Sequence, residues 1–302
     1  MTASIRVETI TLGDELLLGI RENAHLTYLG RQLAHHGIEP AANLVIRDHP
    51  DDIRIFFKDA WRRSDLIITT GGLGPTSDDL TRETIADVLG EELIYDAEVE
   101  NAIRERFRLL ERPMPESNNR QCYRPASAEV LSNPYGTAPG LYLKKDGKIL
   151  VMLPGPAREM HPMFEQLVVP KLQAEGVFPE IDCYLQLRTA GIGESALAEK
   201  VEPMLKDKPG LVVGYCAHAG MVDLRLSSLD SDILSEEELH NIGDDCRKEL
   251  GEDFACFGER TLAEIIFREL RSLDKTLAVA ESCTGGLLAS SITSIGGSSK
   301  IF

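Results

Sequence analysis

The chain is predicted to open with an α/β fold built on a doubly wound, mostly parallel sheet. A small α+β domain should follow, and then the start of a second α/β domain. Three observations predict this. Apolar runs of strand length alternate with amphipathic runs of helix length over residues 5–89, the pattern of a parallel sheet covered on both faces. The buried run Asp65-Leu66-Ile67-Ile68 leads straight into a glycine-rich turn and two carboxylates that open a helix. After Gly176-Val177-Phe178-Pro179 the rhythm changes to shorter, mixed elements.

Residues 5–12 read as the first strand, broken by Gly13-Asp14-Glu15, with Leu16-Leu17-Leu18-Gly19 as an apolar loop or short turn. Asn23 is suited to cap a helix running to His35, with Gly37 ending it. A second strand is centred on Leu44-Val45-Ile46. Asp51 and Asp52 open a helix whose apolar face holds Ile53, Phe56, Phe57 and Ala60. The 65–70 strand, the turn and a helix from Asp79 to Leu89 complete the alternating region. Residues 97–110 read as a helix and 111–120 as a polar loop. Leu141–Leu143 and Ile149–Leu153 should form a hairpin around Asp146-Gly147 in a type I′ turn. A helix over 157–173 should bend or break at Pro162 and Pro170. The second domain reads as strand 182–189, helix 194–205, strands 211–216 and 221–229, and helix 236–250 behind a Ser235/Glu238 capping box. Helix 261–272, a buried strand at Thr276–Ala280 and a helix from Leu287 begin the third. That last unit cannot close a core alone, so the sequence is expected to be a fragment.

The composition narrows the function classes. Of 302 residues, 43% are hydrophobic, enough for real cores, and the net charge is −17. Such a charge argues against non-specific binding of nucleic acid or anionic membranes. No signal peptide or membrane-length apolar run is visible. The six cysteines lack CxxC spacing and read as reduced thiols, so a cytoplasmic location is expected.

The turn Gly71-Gly72-Leu73-Gly74-Pro75-Thr76-Ser77-Asp78-Asp79 carries the chemistry. Three glycines let backbone approach a ligand, and successive N–H groups there can form an anion nest. The carboxylates beside it would repel bare phosphate unless a divalent cation joins the two. Both acidic loops, 13–15 and 71–79, follow strand C-termini and should share one sheet edge, where ligands bind in such folds. The plain alternative is a strand–helix connection with Asp78 and Asp79 as caps.

These motifs resemble the CinA family (competence/damage-inducible protein A). The resemblance rests on Gly13-Asp14-Glu15-Leu16-Leu17-Leu18-Gly19, the 71–81 run, Gly136-Thr137-Ala138-Pro139-Gly140 and Leu153-Pro154-Gly155-Pro156, in the family's order, and it covers essentially the whole chain. It implies a molybdopterin-binding-like domain over 1–175, a KH-like domain over 176–257, and over 258–302 the beginning of a nicotinamide mononucleotide deamidase domain. It further implies hydrolysis of ADP-ribose to AMP and ribose 5-phosphate, with a divalent metal (Mg, Mn or Co) and potassium.

On that basis Asp14, Asp78 and Asp79 are the candidate metal ligands, and the Gly71, Gly72 and Gly74 amides the phosphate cradle. Glu15 or Glu159 is the candidate base. Thr76, Asn118, Thr137, Gly155 and Arg158 are candidate substrate contacts, although turn formation and a surface Arg–Glu face explain several of them equally. Ser282 maps onto the deamidase nucleophile, whose tyrosine and lysine partners would lie beyond residue 302; otherwise it is a helix cap. Gly191-Ile192-Gly193-Glu194 has the wrong spacing for a KH nucleic-acid loop and carries an acid, so no nucleic acid is expected. The expected partners are a nucleotide substrate and a second copy in a homodimer, with no membrane. The rival readings are a molybdopterin- or nucleotide-binding module without hydrolysis, and a scaffold in DNA uptake or damage response.

Overall fold

The computed structural model describes residues 5–179, 183–228 and 232–302. They divide into two compact units, Met1–Glu180 and Ile181–Phe302. In the first unit β1 (Val7–Leu12) is followed by α1 (Asp14–Leu17), α2 (Ala24–His35), β2 (Ala42–Ile46), α3 (Pro50–Arg63), β3 (Leu66–Thr70) and α4 (Thr81–Leu89). Next come β4 (Leu93–Tyr95), α5 (Ala97–Leu109), β5 (Tyr123–Pro125), β6 (Glu129–Leu131), β7 (Gly140–Lys145), β8 (Lys148–Leu153), α6 (Ala157–Met163) and α7 (Val169–Ala174).

Six strands form one sheet in the order β2-β1-β3-β8-β7-β6. Its first four strands run parallel, while β7 and β6 are antiparallel additions. Consecutive side chains of β3 enter opposite cores. Leu66 and Ile68 pack with Leu29 and Leu33 of α2, whereas Ile67 packs with Ile53, Phe57 and Ile85 of α3 and α4. This two-faced burial explains why the parallel strands read as continuous apolar runs.

Local signals predicted from sequence are realised at several ends. Asn23 Oδ1 accepts from Leu26 N at 3.1 Å. Asp146 and Gly147 take positive φ (53° and 75°) in the hairpin turn. The 157–173 helix carries Pro162 inside α6 and breaks at a π-turn, Phe164–Val168, before Pro170.

Other expectations are corrected. Phe56 is exposed, because the core-facing stripe of α3 passes through Ile53, Phe57 and Ala60. Residues 14–17 are a helical turn, and 116–122 a 3-10 helix rather than open loop. Helix α4 starts at Thr81 behind Leu80, so neither Asp78 nor Asp79 caps it.

The second unit contains β9 (Tyr184–Ala190), α8 (Glu194–Leu205), β10 (Leu211–His218), β11 (Met221–Ser228), α9 (Glu236–Leu250), β12 (Phe254–Phe257), α10 (Leu262–Ser272) and α11 (Leu287–Thr293). Its sheet, β10-β11-β9-β12, is antiparallel. Helices α8 and α9 supply Leu197, Val201, Leu239 and Ile242 to its core. The Ser235/Glu238 capping box is formed. Positions 182 and 229, given to strands by the sequence, lie outside the described residues. The strand expected at 276–280 is not formed, and those residues are largely exposed. No described strand lies beside them to complete their backbone hydrogen bonds, and an unpaired strand has little stability in water.

Candidate active site

The order β2-β1-β3 makes β1 the strand from which the chain winds outward in both directions. The crevice outside its carboxyl end is the place where such sheets bind ligands. A cleft of about 610 Å³ occupies that place. The segment after β1 contributes Glu15, Arg21 and Glu22; the loop after β2 contributes Asp48; and the turn after β3 contributes Gly71 to Pro75 and Asp79. The turn after β8 brings Pro154, Gly155 and Glu159, and Thr137 closes one side. Loops far apart in sequence meet here because four parallel strands end on one edge.

The glycine turn has the polarity of an anion cradle. Its carbonyls are tied back: Gly72 O accepts from Thr81 N at 3.2 Å, and Leu73 O from Gln121 Nε2 at 3.2 Å. The Gly71 N–H is engaged by Leu153 O at 3.0 Å and so belongs to the sheet. Among the described residues the N–H groups of Gly72, Leu73 and Gly74 have no partner. Gly72 takes φ 66°, and a Cβ there would collide with Thr81 Oγ1.

Five acids line this cleft against one arginine, Arg21. Asp48, which sequence reasoning missed, shows the result most clearly. Burial, reinforced by the carboxylates of Asp14, Glu15, Asp79 and Asp78, raises its carboxyl to about 6. Among the described residues its buried Oδ1 has no hydrogen-bond partner, and neither has Thr81 Oγ1, which also lies against Gly72. The signal available in the sequence was its position, just past β2 on the edge that the two acidic loops share. His25 and Gln121 were missed too, because each reaches the cleft from a helix.

The predicted residues separate into two groups. Glu15, Asp79, Glu159, Gly71, Gly72, Gly74, Thr137 and Gly155 line the cleft. Asp14 and Asp78 are exposed outside its wall, near enough to act on Asp48. Asp78 is held below the ordinary carboxylate range by the Thr76 hydroxyl and by its own backbone N–H, with Arg120 assisting. Thr76 N donates to Asp79 Oδ2 at 2.9 Å, so Thr76 shapes the loop. Asn118 is buried behind the cleft, its amide on Gln121 Oε1 at 2.8 Å. Arg158 points away into solvent, 79% exposed, while Glu159 accepts from Asn133 Nδ2 at 2.8 Å. Ser282 belongs to the second unit; its hydroxyl lies 3.7 Å from Cys283 Sγ.

No three His, Cys, Asp or Glu side chains among the described residues converge to hold a metal by themselves. The residues present fit a cation shared with a phosphate, since Mg²⁺ commonly takes one or two carboxylates and completes its shell with phosphate and water.

A second cleft of about 610 Å³, mainly apolar, lies between α5 and the 130–139 segment. Val99, Ile103, Val130 and Pro139 line it, and Thr137 borders both clefts. Arg106 donates to the carbonyls of Pro134 and Tyr135 and fixes that segment against α5.

Residues 8–174 match the family described as "Probable molybdopterin binding domain". A CinA-like protein from Kosmotoga olearia is 40% identical over 302 residues, covering 99% of this chain and 72% of that protein. The chain belongs to the CinA family. Residues 186–255 match the CinA KH domain, and 259–302 the CinA C-terminal domain. A competence-damage inducible protein of Clostridium botulinum is 38% identical over 305 residues, across 99% of this chain and 73% of its own length. The solved CinA protein of unknown function from Thermoplasma acidophilum aligns with a TM-score of 0.52 at 31% identity, covering 55% of this chain and 98% of its own. The first unit of this CinA-family chain thus has a molybdopterin-binding type of α/β fold.

Proposed function

We propose that the first unit hydrolyses the diphosphate of ADP-ribose, giving AMP and ribose 5-phosphate, with a divalent cation. One observation carries this reading: open backbone N–H groups of the glycine turn share a cleft with a surplus of carboxylates, one of them raised to about 6. An anionic ligand there is welcome to the turn and repelled by the acids. A cation bound with it removes the conflict.

The chain's own part follows from this geometry. Gly72, Leu73 and Gly74 N–H groups bind phosphate oxygens. Asp79 and Asp48, with Asp14 and Asp78 at the rim, would hold the cation. When bound, the metal neutralises phosphate charge and polarises phosphorus toward water. Thr137 supports the chain between diphosphate and adenosine, and the apolar cleft receives the adenine. Its acidic rim, including Glu98 and Glu105, disfavours a second phosphate there. Potassium is carried by the family resemblance alone.

Incubating the chain with ADP-ribose and Mg²⁺, Mn²⁺ or Co²⁺, followed by ³¹P NMR, tests the reading. Release of AMP supports it. Tight binding of a molybdopterin precursor without any turnover would favour the binding-module reading.

A further inference from the structure

His25, the second residue of α2, lines the same cleft but has no part in the cradle or the cation site. Its Nδ1 lies 3.0 Å from the hydroxyl of Thr70, the last residue of β3 and the one directly before the glycine turn. With Nδ1–H donating to Thr70, the lone pair sits on Nε2, which has no partner among the described residues. His161 of α6 is near enough to act on His25 electrostatically. Among the described residues its buried Nε2 has no partner, and its ring stacks on Tyr28 at 3.6 Å and 7°. Tyr28 in turn donates to Glu165 of the π-turn at 2.8 Å.

Building on the pyrophosphatase reading, we propose that His25 Nε2 takes the proton from the attacking water. The water oxygen bonds to phosphorus and the bridging P–O bond breaks. The electron pair leaves with the departing phosphate, which is an adequate leaving group as an anion. The water proton moves to Nε2 and from there to solvent. The groups around the ring favour this role. Burial first, and His161 second, hold the imidazole below its ordinary value, against an opposing pull from Glu15. Burial lowers His161 as well, with Glu165 opposing. Arg21, Glu22, Asp48 and Glu159 face the same cleft, and Tyr28 shares the helix. His25 is therefore neutral at pH 7 and free to accept a proton, and imidazole is a better base there than an ordinary carboxylate.

The test uses the whole chain with ADP-ribose and Mg²⁺. His25→Gln should lower kcat by about 10²- to 10³-fold while KM moves less than about threefold, and it should erase one acidic limb of the pH profile. His161→Gln should move the His25 limb to higher pH, because a repelling neighbour is gone; a purely structural His25 would leave that limb in place. Retention of more than about a third of kcat by His25→Gln, or an unmoved limb in His161→Gln, overturns the proposal. If the wild-type chain hydrolyses nothing, the function reading fails on its own. His25 is then judged by NMR titration of ¹⁵N-labelled histidine: added AMP must raise its pKa, with Nδ1 protonated in the neutral form. No response to AMP overturns the assignment.

Discussion

At Asp48 two opposed demands meet: the carboxyl is half-buried, and four other carboxylates surround it. Its raised value has a definite sign for stability. The folded state holds the proton up to about pH 6 and the unfolded state releases it near 4, so stability falls as pH rises through that window. Asp48→Asn should therefore be more stable than wild type at pH 7 by about 1–2 kcal/mol after allowance for solvent screening, a gain that shrinks toward zero by about pH 4. If the proposed function holds, the same variant should also lose ADP-ribose hydrolysis, and Mg²⁺ should raise the Tm of wild type but not of the variant. Thermal melts at two pH values, with and without the ion, read all of this. The site was only partly legible in the sequence. The glycine turn and Asp79 announced themselves because they are contiguous with an apolar strand. Asp48 and His25 did not, since a lone Asp before a proline-led helix and a lone His in a helix look like surface residues until the sheet order places them.

At the scale of elements, the join between β1 and α3 rests on an ion pair. Glu8 is fully buried, and Arg63, at the end of α3, donates to both its oxygens at 2.6 and 2.8 Å, with Arg6 adding two bonds to Oε1 at 3.1 and 2.9 Å. The Arg63 bonds hold the Glu8 carboxyl below the ordinary range despite its burial. This contribution is present above the unfolded value near 4.3 and is lost as pH falls through the folded one. Removing Arg63 leaves the buried carboxylate with Arg6 alone. Arg63→Met should thus lower stability clearly, though less than breaking a fully buried pair because the arginine is partly exposed, and Arg6→Met should lower it less. Urea midpoints compare the two.

Elements with strong local signals were readable: β3 from its unbroken apolar run, α9 from its capping box, and the β7–β8 turn from Asp146-Gly147. The three-residue strands β4, β5 and β6 exist only because partners pair with them, which no local pattern reports. The 276–280 segment is the converse case, a strand-like run without a described neighbour.

For the whole molecule, each unit owns its core. The clusters around Leu66 and Ile67 lie wholly in the first unit and that around Leu187 and Leu224 wholly in the second. Residues 1–179 expressed alone are expected to fold and, on the proposed function, to release AMP from ADP-ribose within about twofold of the full chain's rate. Circular dichroism and AMP release check it; loss of both would show that the second unit completes the first. In the second unit Arg188 binds both Asp223 oxygens at 2.8 and 2.7 Å and reaches the carbonyls of Glu259 and Arg260, so the KH-type sheet grips the segment leading into α10. Burial alone would raise the Asp223 carboxyl, but the Arg188 bonds bring it below the ordinary range. Ser282 has no base against its hydroxyl among the described residues, and a serine without one is a poor nucleophile. Nicotinamide mononucleotide should accordingly yield no ammonia above background with this chain, as a coupled ammonia assay would show.

Thr137 stands between a polar cleft and an apolar one, and that shared wall bears on inhibitor chemistry. A phosphate mimic and a flat hydrophobic fragment, each weak alone, would be neighbours when bound. A short tether passing over Thr137 would place the second fragment at roughly millimolar effective concentration once the first had docked. The linked compound could then gain about 10²- to 10⁴-fold over either half without a single new contact. A tether too short to clear the threonine would gain nothing.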